Sequence, residues 1–201
     1  MELSAGDTAW VLTAAALVLL MTPAVAFFYG GMVRAKSVLN MMMMSFLALA
    51  LVAILWVAFG YSIAFGDGGN GFMGDFSLAG LEGLVGQLAN NGGTYPIPAL
   101  AFAMFQLMFA VITVALISGA VADRMKFLAW GIFAAVWATL VYFPVAHWVF
   151  DFGDSELGGS GAGWLANLGV LDFAGGTAVH INAGAAGLAL VLILEIGRAH
   201  V

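Results

Sequence analysis

Five long apolar runs, each nearly free of charge, constrain this chain more than any other feature. They cover about 8–33, 37–65, 98–121, 127–150 and 172–194. A bilayer core needs roughly 20 consecutive apolar residues in a helix, and every run meets that length. Lipid offers no partner to backbone amides and carbonyls, so a spanning segment must be a helix or part of a closed barrel. Runs of this length select helices. Charged residues make up 8% of the chain, against roughly 25% in a soluble domain. The expected fold class is an all-α membrane protein with five transmembrane helices embedded in a lipid bilayer. With no cysteine, disulfides, zinc–thiolate sites and iron–sulfur clusters are excluded. No basic patch supports a nucleic-acid partner, and no cofactor is expected.

The loops set an orientation. Arg34, Lys36, Arg124, Lys126 and Arg198 all fall after the first, third or fifth run. By the positive-inside rule those segments face the cytoplasm, which places the N-terminus outside. The loops 66–97 and 151–171 are glycine-rich and acidic, and nine of the 11 acidic residues then lie at the outer side. Two readings of that asymmetry stay open: solvated loops, or a mild field that draws cations. Met1-Glu2-Leu3-Ser4 lacks a basic n-region, so a cleaved signal peptide is not expected. Residues 195–201 read as a non-native tail and carry no functional weight; 1–194 form the expected domain.

Chemistry concentrates in the last run, Asp172-Phe173-Ala174-Gly175-Gly176-Thr177-Ala178-Val179-His180-Ile181-Asn182-Ala183-Gly184. Ionisable groups inside a membrane span are expensive and mark solute or proton paths by default. A helix through this run sets Asp172, Gly176, His180 and Gly184 at steps of four, on one ridge. Glycines there permit close approach to the backbone around His180. Other features have plainer readings. Met41-Met42-Met43-Met44 reads as adaptable packing rather than a metal site. His147 beside Trp148 sits where amphipathic rings collect at the membrane interface, which favours a structural histidine. Phe105, Gln106 and Phe109 at helical spacing read as span packing on spacing alone.

Taken together, the motifs resemble the ammonium transporter family (Amt/Mep/Rh). The pieces are Thr22-Pro23 with Phe27-Phe28-Tyr29-Gly30-Gly31, then Phe105-Gln106 with Phe109, then Ala146-His147, then Asp172 to Gly184. The resemblance covers roughly the N-terminal half of a typical member, whose fold has eleven helices in two inverted five-helix halves plus one. It implies a homotrimer with a narrow apolar pore in each protomer, no enzymatic activity, and transport of ammonium or ammonia across the cell membrane.

The resemblance also implies roles for single residues. His180 matches the first of two pore histidines, and Asp172 matches the aspartate that organises an outer cation site. Phe109 matches an aromatic shared by that site and a phenylalanine gate, with Phe105 one turn earlier. The family's usual cation–π tryptophan falls at Phe150, while Trp148 stands two residues before it; both are candidate pore-mouth residues. A PII-type regulatory protein at the cytoplasmic face is a further implied partner.

The residue types suit that chemistry. Aromatic faces attract cations by roughly 0.5–2 kcal/mol each. Carrying the intact ion through an apolar pore costs on the order of tens of kcal/mol in the Born limit, and shedding the proton first avoids most of it. A neutral imidazole then accepts or donates a hydrogen bond as needed. Two other classes compete: an ammonium-sensing receptor of the same fold, and a membrane metalloenzyme using His147 and His180. Two histidines without a third ligand at regular spacing make a poor metal site. An inactive truncated fragment is the remaining alternative.

Overall fold

The computed structural model describes residues 2–66, 70–89, 95–153 and 163–194. Five helical rods in it are long and apolar enough to cross a membrane. They run Ala5–Met32, Ala35–Phe65, Ala99–Val121, Phe127–Phe150 and Gly176–Ile193. The segment 195–201 read as a tail lies outside the described residues, as do Asp67, Asn90 to Gly93, Asp154 and Glu156 of the acidic loops.

The first rod is one helix, α1 (Ala5–Met32), which continues through Pro23. Its start is capped: Ser4 Oγ accepts the Asp7 amide at 3.2 Å, supplying a partner to one of the otherwise orphaned first-turn N–H groups. Three rods contain a π-helical turn, in which the hydrogen bond reaches five residues back and one residue is in effect inserted. The second rod is α2 (Val38–Leu55), a π turn Trp56–Gly60, and α3 (Tyr61–Phe65). The third is α4 (Ala99–Ile117), closed by a 3₁₀ turn, Ser118–Val121. The fourth is α5 (Phe127–Trp137), a π turn Ala138–Tyr142, and α6 (Phe143–Phe150). A short α7 (Trp164–Asn167) follows, then a π turn Gly176–Ile181 leading into α8 (Asn182–Ile193).

The third rod is the most buried and forms the hub of the bundle. Indole N–H groups tie its neighbours across the lipid-excluded interior. Trp56 Nε1 donates to the Ala103 carbonyl at 3.1 Å, and Trp130 Nε1 donates to the Met44 carbonyl at 2.9 Å. Both indoles are at most 1% exposed, a setting where Trp needs a partner for its N–H. Met41 and Met44 are buried in the same core, whereas Met43 is 47% exposed. Trp130→Phe keeps most of the volume and loses one interhelical hydrogen bond. It is expected to cost about 1 kcal/mol, read as a lower Tm in detergent.

The π turn of the second rod meets the start of α6 in the fourth. Phe143 packs edge-on to Trp56 at 5.6 Å and to Phe59 at 6.1 Å. A Cβ on Gly60 would stand 2.6 Å from the Phe143 ring, so only glycine permits this approach.

The two ends of the bundle differ in chemistry. At one end the N-terminus and the long loops gather: the Ser4 amide donates to the Pro96 carbonyl at 2.8 Å. There β1 (Leu88–Ala89) and β2 (Tyr95–Pro98) form a small antiparallel pair. At the other end Arg34 Nε bonds Asp123 Oδ2 at 3.2 Å, joining the first and third connections. The Ser37 hydroxyl, with Arg34 beside it, holds the Asp123 carboxyl below its usual range. A depressed carboxyl contributes stability above its unfolded pKa and loses it as pH falls through the folded value. This exposed pair is therefore intact at neutral pH, and Asp123→Asn is expected to change stability by less than about 1 kcal/mol in thermal unfolding.

Candidate functional site

A cavity of about 220 Å³ opens at the end where the acidic loops gather, lined by Phe102, Phe105, Gln106, Phe109, Phe150 and Asp172, and also by Tyr95 and Phe152. Two rods and the segment that enters the fifth build it. The first turns of α4 supply Phe102, Phe105 and Phe109 on one face, at the i, i+3 and i+7 spacing of a helical stripe. The last residue of α6 supplies Phe150, and the segment before the fifth rod supplies Asp172. Phe105 and Phe109 meet edge to face, with centroids 5.0 Å apart at 80°. Gln106 is buried at 8% exposure and brings an amide into an otherwise aromatic wall. Four of the residues singled out in the sequence, Phe105, Phe109, Phe150 and Asp172, thus lie around one cavity.

Asp172 reaches the cavity by a route that helical spacing misjudged. The fifth rod begins at Gly176, so Asp172 precedes the helix and does not share its ridge. Its Oδ2 instead accepts the amides of Thr177 at 2.9 Å and Ala178 at 3.0 Å. That is an N-terminal cap, stabilised further by the positive end of the helix dipole. The tight entry needs Gly175 at φ +79°, a left-handed conformation that glycine adopts without steric cost. Asp172 Oδ1 is buried without a hydrogen-bond partner among the described residues. The carboxyl group, held through Oδ2, thus lies among the residues that line the aromatic cavity.

Gly176, His180 and Gly184 do share a face, and all three are exposed. A Cβ on Gly176 or Gly184 would meet nothing within 4 Å. His180 lies in the π turn, where its amide bonds the Gly175 carbonyl at 2.9 Å. Its ring borders an open groove with Tyr29, Leu116, Ala120, Gly184 and Gly187. Tyr29 is fixed there by its hydroxyl, which donates to the Leu116 carbonyl at 3.0 Å, and by Gly119, whose Cβ would stand 2.7 Å from the Tyr29 ring. His180 is thus one turn or more from the aromatic cavity, on the same rod.

Trp148 does not line the cavity. Its indole donates to the Phe72 carbonyl at 2.7 Å and packs against Trp164 at 5.8 Å. These three aromatics cluster at the edge of the bundle, as interfacial aromatics do. His147 is fully buried, with its ring nitrogens 3.0 Å from the Ala64 carbonyl and 2.8 Å from the Asn70 carbonyl. It anchors backbone and does not approach His180. Helical spacing in the sequence could pick out Phe102, which repeats the Phe105–Phe109 stripe; nothing in it signalled Tyr95 or Phe152.

Known proteins share this sequence and fold. The profile of the Ammonium Transporter Family matches residues 9–199. An ammonium transporter of Mycobacterium tuberculosis (strain H37Rv) is 58% identical, covering 94% of this chain and 42% of the relative. One of Bacillus subtilis (strain 168) is 49% identical, covering 94% of this chain and 44% of the relative. The chain thus spans less than half the length of these relatives. Among solved structures, Saccharomyces cerevisiae Mep2 superposes with a TM-score of 0.84 at 33% identity, over 98% of this chain and 42% of that one. Candida albicans Mep2 gives 0.82 at 34% identity, over 97% and 40%. A protein described as a sensor Amt protein shares the fold at 24% identity and a TM-score of 0.81, over 94% of this chain and 44% of that one. The named relatives are transporters rather than enzymes, and five membrane-length helices match the N-terminal part of their fold. The chain is a multi-pass membrane protein and belongs to the Ammonium Transporter Family.

Proposed function

We propose that this segment forms the recruitment mouth and half of the conduction path of an ammonium transporter. The observation that carries the reading is the cavity that gathers Phe105, Phe109 and Phe150 above the Asp172 carboxylate. Aromatic faces and a nearby fixed negative charge attract a cation without stripping all of its water. Ammonium is recruited there, gives up its proton, and passes His180 as ammonia; neutral ammonia avoids the Born cost of an ion in an apolar path. His180, exposed on a glycine-flanked face, is placed to exchange hydrogen bonds with a small polar solute.

The same reading places the N-terminus and the cavity outside a cell membrane, following the basic residues at the opposite end. The working form is a homotrimer of the full-length protein. A PII-type regulatory protein would meet the basic end, where the Arg34–Asp123 bond orders two connections.

The test is methylammonium uptake by a full-length protein carrying this segment. Phe109→Ala is expected to raise KM by about two- to thirty-fold, the span of a single cation–π contact. Phe150→Trp is expected to lower KM, because indole presents the stronger π face. If both variants leave KM unchanged, the cavity is not where the cation is recruited.

A further inference from the structure

Both ring nitrogens of the buried His147 face oxygen atoms that carry no proton. Nδ1 is 3.0 Å from the Ala64 carbonyl and 3.1 Å from Asp151 Oδ2, and Nε2 is 2.8 Å from the Asn70 carbonyl. A neutral imidazole has one N–H. At one of the two nitrogens a neutral ring would therefore set lone pair against lone pair, in a place closed to water. Such a mismatch costs the full desolvation penalty of a buried polar group. A proton on Asp151 could donate to Nδ1, but it would leave the Ala64 carbonyl, 3.0 Å from that nitrogen, without a donor. Only the imidazolium donates at both nitrogens.

The counter-charge stands beside the ring. Asp151 is 3% exposed, and its Oδ1 accepts the Gly153 amide at 3.1 Å. Its backbone carbonyl accepts the Gly163 amide at 2.9 Å. The other elements packed on the ring bring no charge to it among the described residues. The end of α3 presents the Ala64 carbonyl, and the turn after it presents the Asn70 carbonyl. Asp75, further along that turn, is engaged by the Ser77 amide at 3.0 Å.

Asp151 is bracketed in the chain by Phe150 and Phe152, both of which line the cavity. We propose that His147 is held as an imidazolium in a buried ion pair with Asp151, and that this pair positions Phe150 and Phe152 for cation recruitment. The positioning role rests on the transport reading above; the charge state does not. His147 touches no substrate and acts through the backbone it holds.

The test pairs nitrogen-15 NMR of the histidine rings with methylammonium uptake, using a full-length protein carrying this segment. His147→Gln assigns the signal. At about pH 7, where a free histidine is largely neutral, the unmodified protein is expected to show both His147 nitrogens protonated. Asp151→Asn is expected to remove that signature and raise KM about tenfold while kcat stays within about threefold. A single neutral tautomer in the unmodified protein overturns the proposal, whether or not the variants fold. An unchanged KM in folded Asp151→Asn overturns the positioning role. Two protonated nitrogens in a protein that moves no methylammonium uphold the ion pair and overturn the transport reading.

Discussion

The His180→Ala protein is expected to lose selective methylammonium uptake while keeping its fold. Within the described segment the His180 ring borders an open groove rather than the packed core, so its removal is expected to leave this segment's own packing intact. Transport is a different matter. A solute that has shed its proton needs a hydrogen-bonding partner along the groove, and the imidazole can either accept or donate one. Uptake into cells lacking their own ammonium transporters, compared with the Tm of purified protein, reads both parts. Uptake at the unmodified level would remove His180 from the path; lost uptake with a collapsed Tm would make it structural.

Gly163→Ala is expected to be the most disruptive single methyl in the described chain. The backbone there has an ordinary negative φ, so the restriction is space and not conformation. An added Cβ would fall onto the His147 carbonyl oxygen and within 2.7 Å of Trp148 Cα. Backbone cannot swing aside as a side-chain end can, so α6 or the segment entering α7 must move. Overpacking of this kind typically costs 1–3 kcal/mol, occasionally more, and here it strains the anchor of the Phe150–Phe152 wall. A fall of several degrees in Tm together with a raised KM for methylammonium is the expected result. Gly176→Ala and Gly184→Ala, whose Cβ atoms would meet nothing within 4 Å among the described residues, are expected to disturb this segment's packing far less than Gly163→Ala.

The membrane rods were legible in the sequence because length and apolar composition suffice to define a span. Their internal geometry was not. A π turn has no residue signature, and the one at Gly176–Ile181 begins the fifth rod four residues later than apolarity suggested. That offset turned Asp172 from a ridge residue into a cap, and the cap is what aims its carboxylate at the cavity. The aromatic site was partly legible: Phe105, Phe109 and Phe150 came from motif resemblance, and the structure brings them together. Trp148 shows the limit of the same reasoning. Sequence proximity to Phe150 suggested a shared site, but two residues on a helix differ by roughly 200° in direction, and its indole faces Phe72 and Trp164. The β1–β2 pair and the role of Gly163 depend on contacts between distant segments, which no local pattern reports.

On the proposed reading, this segment recruits ammonium and passes it on as ammonia. Purified full-length protein carrying the segment, reconstituted in liposomes, tests it most directly through uptake of labelled methylammonium in the presence of excess potassium. Uptake that saturates, is competed by ammonium and is indifferent to potassium is the predicted result. Uptake that potassium suppresses as well as ammonium does would contradict the account, because a path that admits the intact ion has no means to tell the two apart by size.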